Sequence, residues 1–448
     1  MNDSQRRCGK GVREGRVGWR AVSSEVIAIA LVFAPACSES SGASNDGGAP
    51  ALDAPGDASP CAVRIAPSDD DQRQVQTALI ETPAGSTICF DGGVFRFTDE
   101  LTLTSRGITL RGSPVTGATR PVPTLWDFRN QRASARNGLL VTGSDFTIEH
   151  ISIANTPGDG VRVEGAEGVT FRQLRVSWDP DALRPDDAGI GRSGAYAVYP
   201  VTSNKVLIEG CEVNGARDAG LYVGQSRNII VRNNIVWGNV AGIEIENSTD
   251  AEVYGNTVNG NTAGILVFNL PDLPVQDGRR ANVHDNDVRE NNIANFAIPG
   301  TTVAGVPPGV GVLVLAADET EIHGNAFRSN DSAAVLIVSC FTNNNLADCR
   351  STVKYDQFPQ QTYIHGNTYE GNGTKPAPIF AALLNVTQLE DIAWDGDIDA
   401  GEPNDKVICV QETAATFRNF NARGFFANQS TDVTPYQCML PPLPPITL

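Results

Sequence analysis

The fold is written in one recurring phrase: KVLIEGCEVNG (205–215), NIIVRNNIVWGN (228–239), DAEVYGNTVNGN (250–261), ANVHDNDVREN (281–291), ETEIHGNAFRSN (319–330) and QTYIHGNTYEGN (361–372). Fainter copies are FTIEHISI (146–153) and VTFRQLRV (169–176). A second phrase alternates with it: GVRVEGA (160–166), GLYVGQS (220–226), GIEIENS (242–248), GILVFNL (264–270), GVLVLAA (311–317) and AVLIVSC (334–340). Val161, Leu221, Ile243, Ile265, Val312 and Val335 share one column of this second phrase, and Val163, Val223, Ile245, Val267, Val314 and Ile337 the next. Where no loop intervenes the period is 22–23 residues.

Val and Ile alternating with polar residues mark strands with one buried face. A period near 22 is too short for a helix-pair repeat of roughly 33–47 residues. Stacking one coil on the next at ~4.8 Å aligns the columns, with the aliphatic ones inside. The expectation is an all-β, single-stranded right-handed parallel β-helix over 61–400, with 401–448 as a C-terminal capping segment. Asn234, Asn256, Asn286, Asn325 and Asn367 form a column at one turn, where stacked amides bond one another. Leu174 and Cys211 hold that column in earlier coils, so Cys211 reads as a small core residue and not a nucleophile. Ser68–Glu81 fits a short amphipathic helix, with Ser68 and Asp71 as cap and N3 acid and Val75 and Leu79 turned inward. Such a helix plugs the N-terminal end of the solenoid. On the strands, Ile243 points inward and Glu252 lies on an outward edge.

Residues 194–274, GAYAVYPV…DAGLYVGQSRNIIVRNN…NVAGIEIENS…GILVFNLPDLP, resemble the pectate-lyase-like superfamily of right-handed parallel β-helix proteins. Within it they are similar to a subgroup of exported β-helix repeat proteins that are often lipoproteins. The resemblance spans roughly 60–400 and implies the fold without an activity. Polygalacturonase-like hydrolases carry four motif blocks. Of these only the Asp-Asp pair is matched, by Asp186-Asp187. Trp178-Asp179-Pro180-Asp181 lacks the histidine that pectate lyases and alginate epimerases carry in comparable blocks.

Val26–Ala36, VIAIALVFAPA, is an apolar run of 11 residues behind six Arg and Lys. It is too short to span a bilayer, which takes ~20 apolar residues, and has the length of a signal-peptide core. Ala34-Pro35-Ala36-Cys37 resembles a bacterial lipobox. The reading is a signal peptide over 1–36, a lipidated Cys37, and a Ser-, Gly- and Pro-rich tether to residue 60. This places the protein outside the cytoplasm, held to a bacterial membrane or otherwise secreted. There disulfides persist. Cys61 with Cys89, Cys340 with Cys349, and Cys409 with Cys438 are neighbours in sequence, although sequence alone leaves connectivity open.

The whole chain carries −18. The basic leader 1–36 has six Arg and Lys against Asp3, Glu14 and Glu25, a net +3, so the remainder stands at −21. Such a body repels phosphate backbones and excludes nucleic acid as a natural partner.

Loops interrupt the repeat at 179–194, 271–281, 292–309 and 341–360, while the coils from 204 to 262 carry none. This predicts an open floor between loop walls, the usual place for a site on a rigid scaffold. Outward columns there run Arg162, Tyr199, Tyr222, Glu244, Leu266 and Glu164, Val201, Gly224, Glu246, Phe268. Glu244 and Glu246 face out together, with Tyr222 beside Glu244, and Asp218 and Arg232 near in sequence. Two carboxylates offer general acid/base chemistry, Tyr199, Tyr222 and Phe268 offer faces to sugar rings, and Arg232 offers charge neutralisation. With Asn247 the carboxylates also form a donor set for Ca²⁺. The function expected is binding or processing of a polysaccharide at the cell envelope, as a lyase, epimerase or hydrolase. The alternative is a non-catalytic surface module that binds a protein partner. His284, His323 and His365 share one outward column. Stacked imidazoles could ligate a transition metal, but duplication of a single phrase explains them without function.

Overall fold

A computed structural model describes residues 60–113, 124–132, 134–178, 194–342, 349, 355–399 and 407–448. The signal segment, Cys37, nearly all of the tether and Asp179–Asp187 lie outside the described residues.

Each coil contributes up to three short strands, and corresponding strands pair in parallel from coil to coil into three long sheets. The first sheet runs from Cys61–Ile65 to Ile408–Gln411, the second from Leu101–Leu103 to Phe417–Asn419, and the third from Gly93–Arg96 to Thr368–Glu370. This is the parallel β-helix that the repeat predicts. The register matches the sequence columns: Leu221 pairs Ile243, Ile243 pairs Ile265, Ile265 pairs Val312 and Val312 pairs Val335. Their side chains, with Ile229, Val231 and Val236 from the other two sheets of the same coils, are wholly buried.

Two asparagine ladders pin the turns. In the expected one, Asn234 donates to Asn256 Oδ1 through both its backbone N and its Nδ2, and Asn256 does the same to Asn286, Asn286 to Asn325 and Asn325 to Asn367. Cys211 joins at one end, its N–H donating to Asn234 Oδ1 at 2.8 Å. The Cys211 thiol is buried and free, and burial pushes it up to about 12. A second ladder, Asn239–Asn261–Asn291–Asn330–Asn372, repeats the pattern at the next turn.

Helix α1 (Asp71–Glu81) closes the N-terminal end with Val75 and Leu79 buried. Gln76 donates to Thr102 O and accepts from Thr102 N, standing in for the missing neighbour of the edge strand Leu101–Leu103. The expected capping box is only half made. Asp71 accepts from Ser68 N at 2.7 Å, but its other oxygen takes Arg96 N, and Asp70 occupies the N-cap without a side-chain bond to the helix backbone. At the other end the sheets extend past residue 400, through Ile408–Gln411 and Phe417–Asn419, so the last coil begins the segment read as cap. That coil lacks the Asn phrase. All three sequence-neighbour disulfides are formed, with Cα–Cα distances of 5.6, 5.9 and 4.9 Å. Among the described residues no helix is long and apolar enough to cross a membrane.

Candidate functional site

The outward face of the second sheet gathers most of the residues singled out by alternation. Tyr222 pairs Glu244, and Gly224 pairs Glu246. Because Gly224 has no side chain, the Tyr222 phenol folds across it, and its Oη donates to Glu246 Oε1 in the next coil at 2.6 Å. A methyl group at Gly224 would sit on the Tyr222 hydroxyl. Tyr196, Tyr199 and Tyr222 cluster with ring centroids 4.4–4.8 Å apart. The Arg162 guanidinium lies 4.5 Å from the Tyr199 ring centroid, and its Nε donates to Glu164 Oε1 at 2.6 Å. Asp218 is held by a side-chain hydrogen bond from Tyr196.

Three carboxyl groups, Asp218, Glu244 and Glu246, thus stand close enough for their charges to act on one another. Glu244 is 1% exposed, and its Oε2 has no partner. Burial first, then the Glu246 and Asp218 charges, hold its proton far above the usual carboxylate range. Burial also raises Glu246, against the lowering bond from Tyr222. Burial raises Asp218 to about 7, helped by the charges of Glu246 and Asp159, and raises Asp159 itself to about 6. Glu246 and Asp218 keep partial access to solvent while Glu244 does not. The arrangement is therefore a surface carboxyl backed by a buried proton store, two groups of one type that environment drives apart.

These shifts predict the pH dependence of stability. Between pH ~4 and the raised value of about 7, the folded state keeps the Asp218 proton that the unfolded chain has released. Stability is complete below that window and is lost as pH rises through it. Thermal melts should give a higher Tm at pH 5 than at pH 8, and Asp218→Asn should narrow the gap. A Tm that climbs from pH 5 to pH 8 would contradict the buried cluster.

Three expectations change. Arg232 is not part of the cluster: it lies on the first sheet, where Nη2 donates to Glu209 Oε2 at 2.7 Å and Nη1 to Tyr254 Oη at 3.1 Å. It ends a charge ladder of Arg111, Glu149, Arg172 and Glu209 across the coils. Asn247 is committed elsewhere, accepting from Leu270 N and donating to Leu270 O and Val275 O. The floor is also less open than expected. Leu266 and Phe268 are buried in an outer apolar cluster with Val303 and Val306 of the 292–309 loop, so Phe268 presents no face to a sugar. Sequence reasoning missed Tyr196, Asp159 and the docking of Arg162 on Tyr199. The phrase GAYAVYP, with tyrosines three apart where the sheet face begins, was the available signal for Tyr196.

Further along the same face lies an apolar cavity of about 950 Å³, lined by Leu313, Leu336, Ile379, Phe380 and Phe425 among others. None of Asp218, Glu244 and Glu246 lines it. The histidine column is stacked face to face at 4.9 and 5.0 Å, on the first sheet. Its end members pair with Glu252 and Glu321. Among the described residues no group of three His, Cys, Asp or Glu could hold a metal ion.

A family model described as "Right handed beta helix region" matches residues 134–339. Among solved structures, the A-module of a mannuronan C-5 epimerase from Azotobacter vinelandii is similar at 15% identity, with 77% of this chain and 90% of that one covered and a TM-score of 0.48. A polygalacturonase from Erwinia carotovora is similar at 11% identity, with coverage of 70% and 93% and a TM-score of 0.40. An alginate lyase from a Paenibacillus species is similar at 14%, with coverage of 69% and 97% and a TM-score of 0.40. No curated protein matches the sequence.

Proposed function

We propose that this right-handed parallel β-helix binds and processes a polysaccharide at the Asp218–Glu244–Glu246 cluster, in an exported setting where Cys37 carries the lipid anchor. The observation that carries the reading is the bond from Tyr222 Oη to Glu246, beside a buried Glu244 that burial holds well above the usual carboxylate range. Glu246 is the group within reach of a substrate and acts as acid or base. Glu244 lies buried behind it and Asp218 stands beside it, half-buried, while burial raises the proton affinity of Glu246 against the bond from Tyr222. Tyr199, partly exposed, supplies a ring face for a sugar, with Arg162 fixing it from the side. Three disulfides support an oxidising compartment.

A glycan array with the purified full chain, followed by turnover of whatever glycan binds, tests the reading. Gly224→Ala isolates the key contact, because the added methyl pushes the phenol off Glu246 while the extended backbone tolerates alanine. It should lower turnover by about 10- to 100-fold, the worth of a hydrogen bond to a charged group, with a modest loss of Tm because the packed phenol must shift. Full activity in this variant would remove Tyr222 from the machinery.

The second reading, a non-catalytic module for a protein partner, is favoured by one observation: Glu244 and Tyr222 are 1% and 2% exposed, as in a buried network that fixes coil register. Glycan binding without any turnover, or no glycan binding at all, would move the protein there.

A further inference from the structure

The last ten residues, MLPPLPPITL (439–448), run back along the outside of the first sheet, opposite in direction to the growth of the coils. Leu443 N donates to Glu321 Oε2 at 2.6 Å, and Ile446 N donates to Glu252 Oε2 at 3.3 Å. Glu252 and Glu321 are separated by one intervening coil, because Glu252 pairs Asn282 and Asn282 pairs Glu321. Two coil steps span about 9.6 Å. Three residues of polyproline II span about 9.3 Å, and that helix has three residues per turn. The two repeats are therefore commensurate. Burial along the tail has the same period: Leu440, Leu443 and Ile446 are half-buried, and the residues between them are exposed. Pro441, Pro442, Pro444 and Pro445 have no N–H to satisfy, so the amides of this Pro-Pro-X repeat fall where the sheet supplies carboxylates. Each glutamate is aimed by a histidine: His284 Nε2 lies 3.2 Å from Glu252 Oε1, and His365 Nε2 lies 2.9 Å from Glu321 Oε1. The stacked rings hold those histidines in line.

We infer that this face is a polyproline-II recognition groove whose partner is a Pro-Pro-X segment of another protein, and that the chain's own tail occupies it as a displaceable stand-in. The groove lies on a different sheet from the carboxyl cluster, so it is independent of the polysaccharide reading. Its specificity has two parts. The carboxylates select amides at every third residue, and the three-residue burial period together with the coil spacing selects an extended helix of three residues per turn over a strand of period two. The tail is poorly buried at its ends, with Met439 72% and Leu448 40% exposed, which suits an occupant that yields to a competitor. The Cys409–Cys438 disulfide fixes its root, so displacement lifts the tail away from that anchored point.

The test uses the full chain and a labelled peptide of sequence MLPPLPPITL, read by fluorescence anisotropy. The wild type should bind it weakly, because its own tail competes at high effective concentration. Replacing Pro441, Pro442, Pro444 and Pro445 by Gly loosens the tail and should tighten peptide binding by about tenfold or more. Adding Glu252→Ala and Glu321→Ala to that variant should abolish it. The same peptide N-methylated at its Leu443 and Ile446 equivalents keeps the helix but lacks both donors. It should not bind, which tests the contact without touching the protein's fold. Equal binding of the methylated and plain peptides would overturn the proposal, as would no binding to the loosened variant. Self-association of the wild-type chain through exchanged tails would replace the foreign partner with a second copy.

Discussion

Asn256→Leu should lower stability by about 4 kcal/mol, although leucine is the residue that holds the same column at position 174. Asn256 is 1% exposed and makes four side-chain bonds. Its Oδ1 accepts from Asn234 N at 3.0 Å and Asn234 Nδ2 at 2.9 Å, and its Nδ2 donates to Val231 O and Asn286 Oδ1, each at 2.9 Å. Leucine fills the volume and removes all four. Asn234 N–H and one Asn234 Nδ2 hydrogen then stay buried without partners, at ~1–3 kcal/mol each, and Val231 O loses the bond it accepts from Asn256. At position 174 no amide ladder has begun, so leucine strands nothing. Cys211→Ala is the control, because it removes one sulfur from a packed site and should cost only ~1 kcal/mol. Urea midpoints measure both. Equal losses in the two variants would mean that packing, and not amide pairing, holds the turns.

The same ladder shows why the fold was legible. A solenoid repeats each structural decision in every coil, so column identity in the sequence is contact identity in space. The aliphatic columns, the first Asn column, the Cys211 position and the buried side of α1 all follow from that rule. The second Asn column, from Asn239 to Asn372, was equally visible in the closing letters of the phrase. The chain ends were less legible because they do not repeat. The coil with Ile408–Gln411 and Phe417–Asn419 has no Asn at its turn, and the Pro-Pro-X repeat of the tail does not say which sheet it docks on. Glu252 illustrates the cost. Its outward position reads as a tolerant edge, yet its carboxylate takes both His284 and the Ile446 amide. A lysine there would break two contacts.

For the site, alternation placed Tyr199, Tyr222, Glu244 and Glu246 on one face, and Asp218 joined them through its bond with Tyr196. Arg232 was drawn in by nearness in sequence. In a three-sided coil, ten residues carry the chain onto a different side, so closeness along the chain argues against sharing a face. Depth was the other blind spot. Whether an outward residue meets water depends on segments far away, such as the 292–309 loop over Phe268, and no local pattern encodes that cover.

Glu246→Gln should lower turnover on the bound glycan by roughly 10²–10⁴-fold, the span of general acid/base catalysis. The amide keeps the size of the carboxyl and still accepts from Tyr222 Oη, so position and ring packing survive while proton exchange does not. Binding affinity should change far less than turnover, which separates a lost chemical step from a lost contact. Stability should move the other way. Glu246 is one of the charges that raise Glu244, and its removal lets the cluster carry less repulsion as pH rises. The same Glu246→Gln variant should therefore have a higher Tm than wild type at pH 8, and the gap should shrink as pH falls and the raised carboxyls take up protons. Glu244→Gln makes the complementary measurement, since a buried neutral amide resembles the protonated acid it replaces. It should spare most of the turnover and shift the pH at which turnover begins. If Glu244→Gln is the silent variant for stability and the dead one for turnover, the roles are reversed and Glu244 is the proton donor. If both variants turn over like wild type, the carboxyl cluster holds the coils together, and the chemistry lies elsewhere on the solenoid.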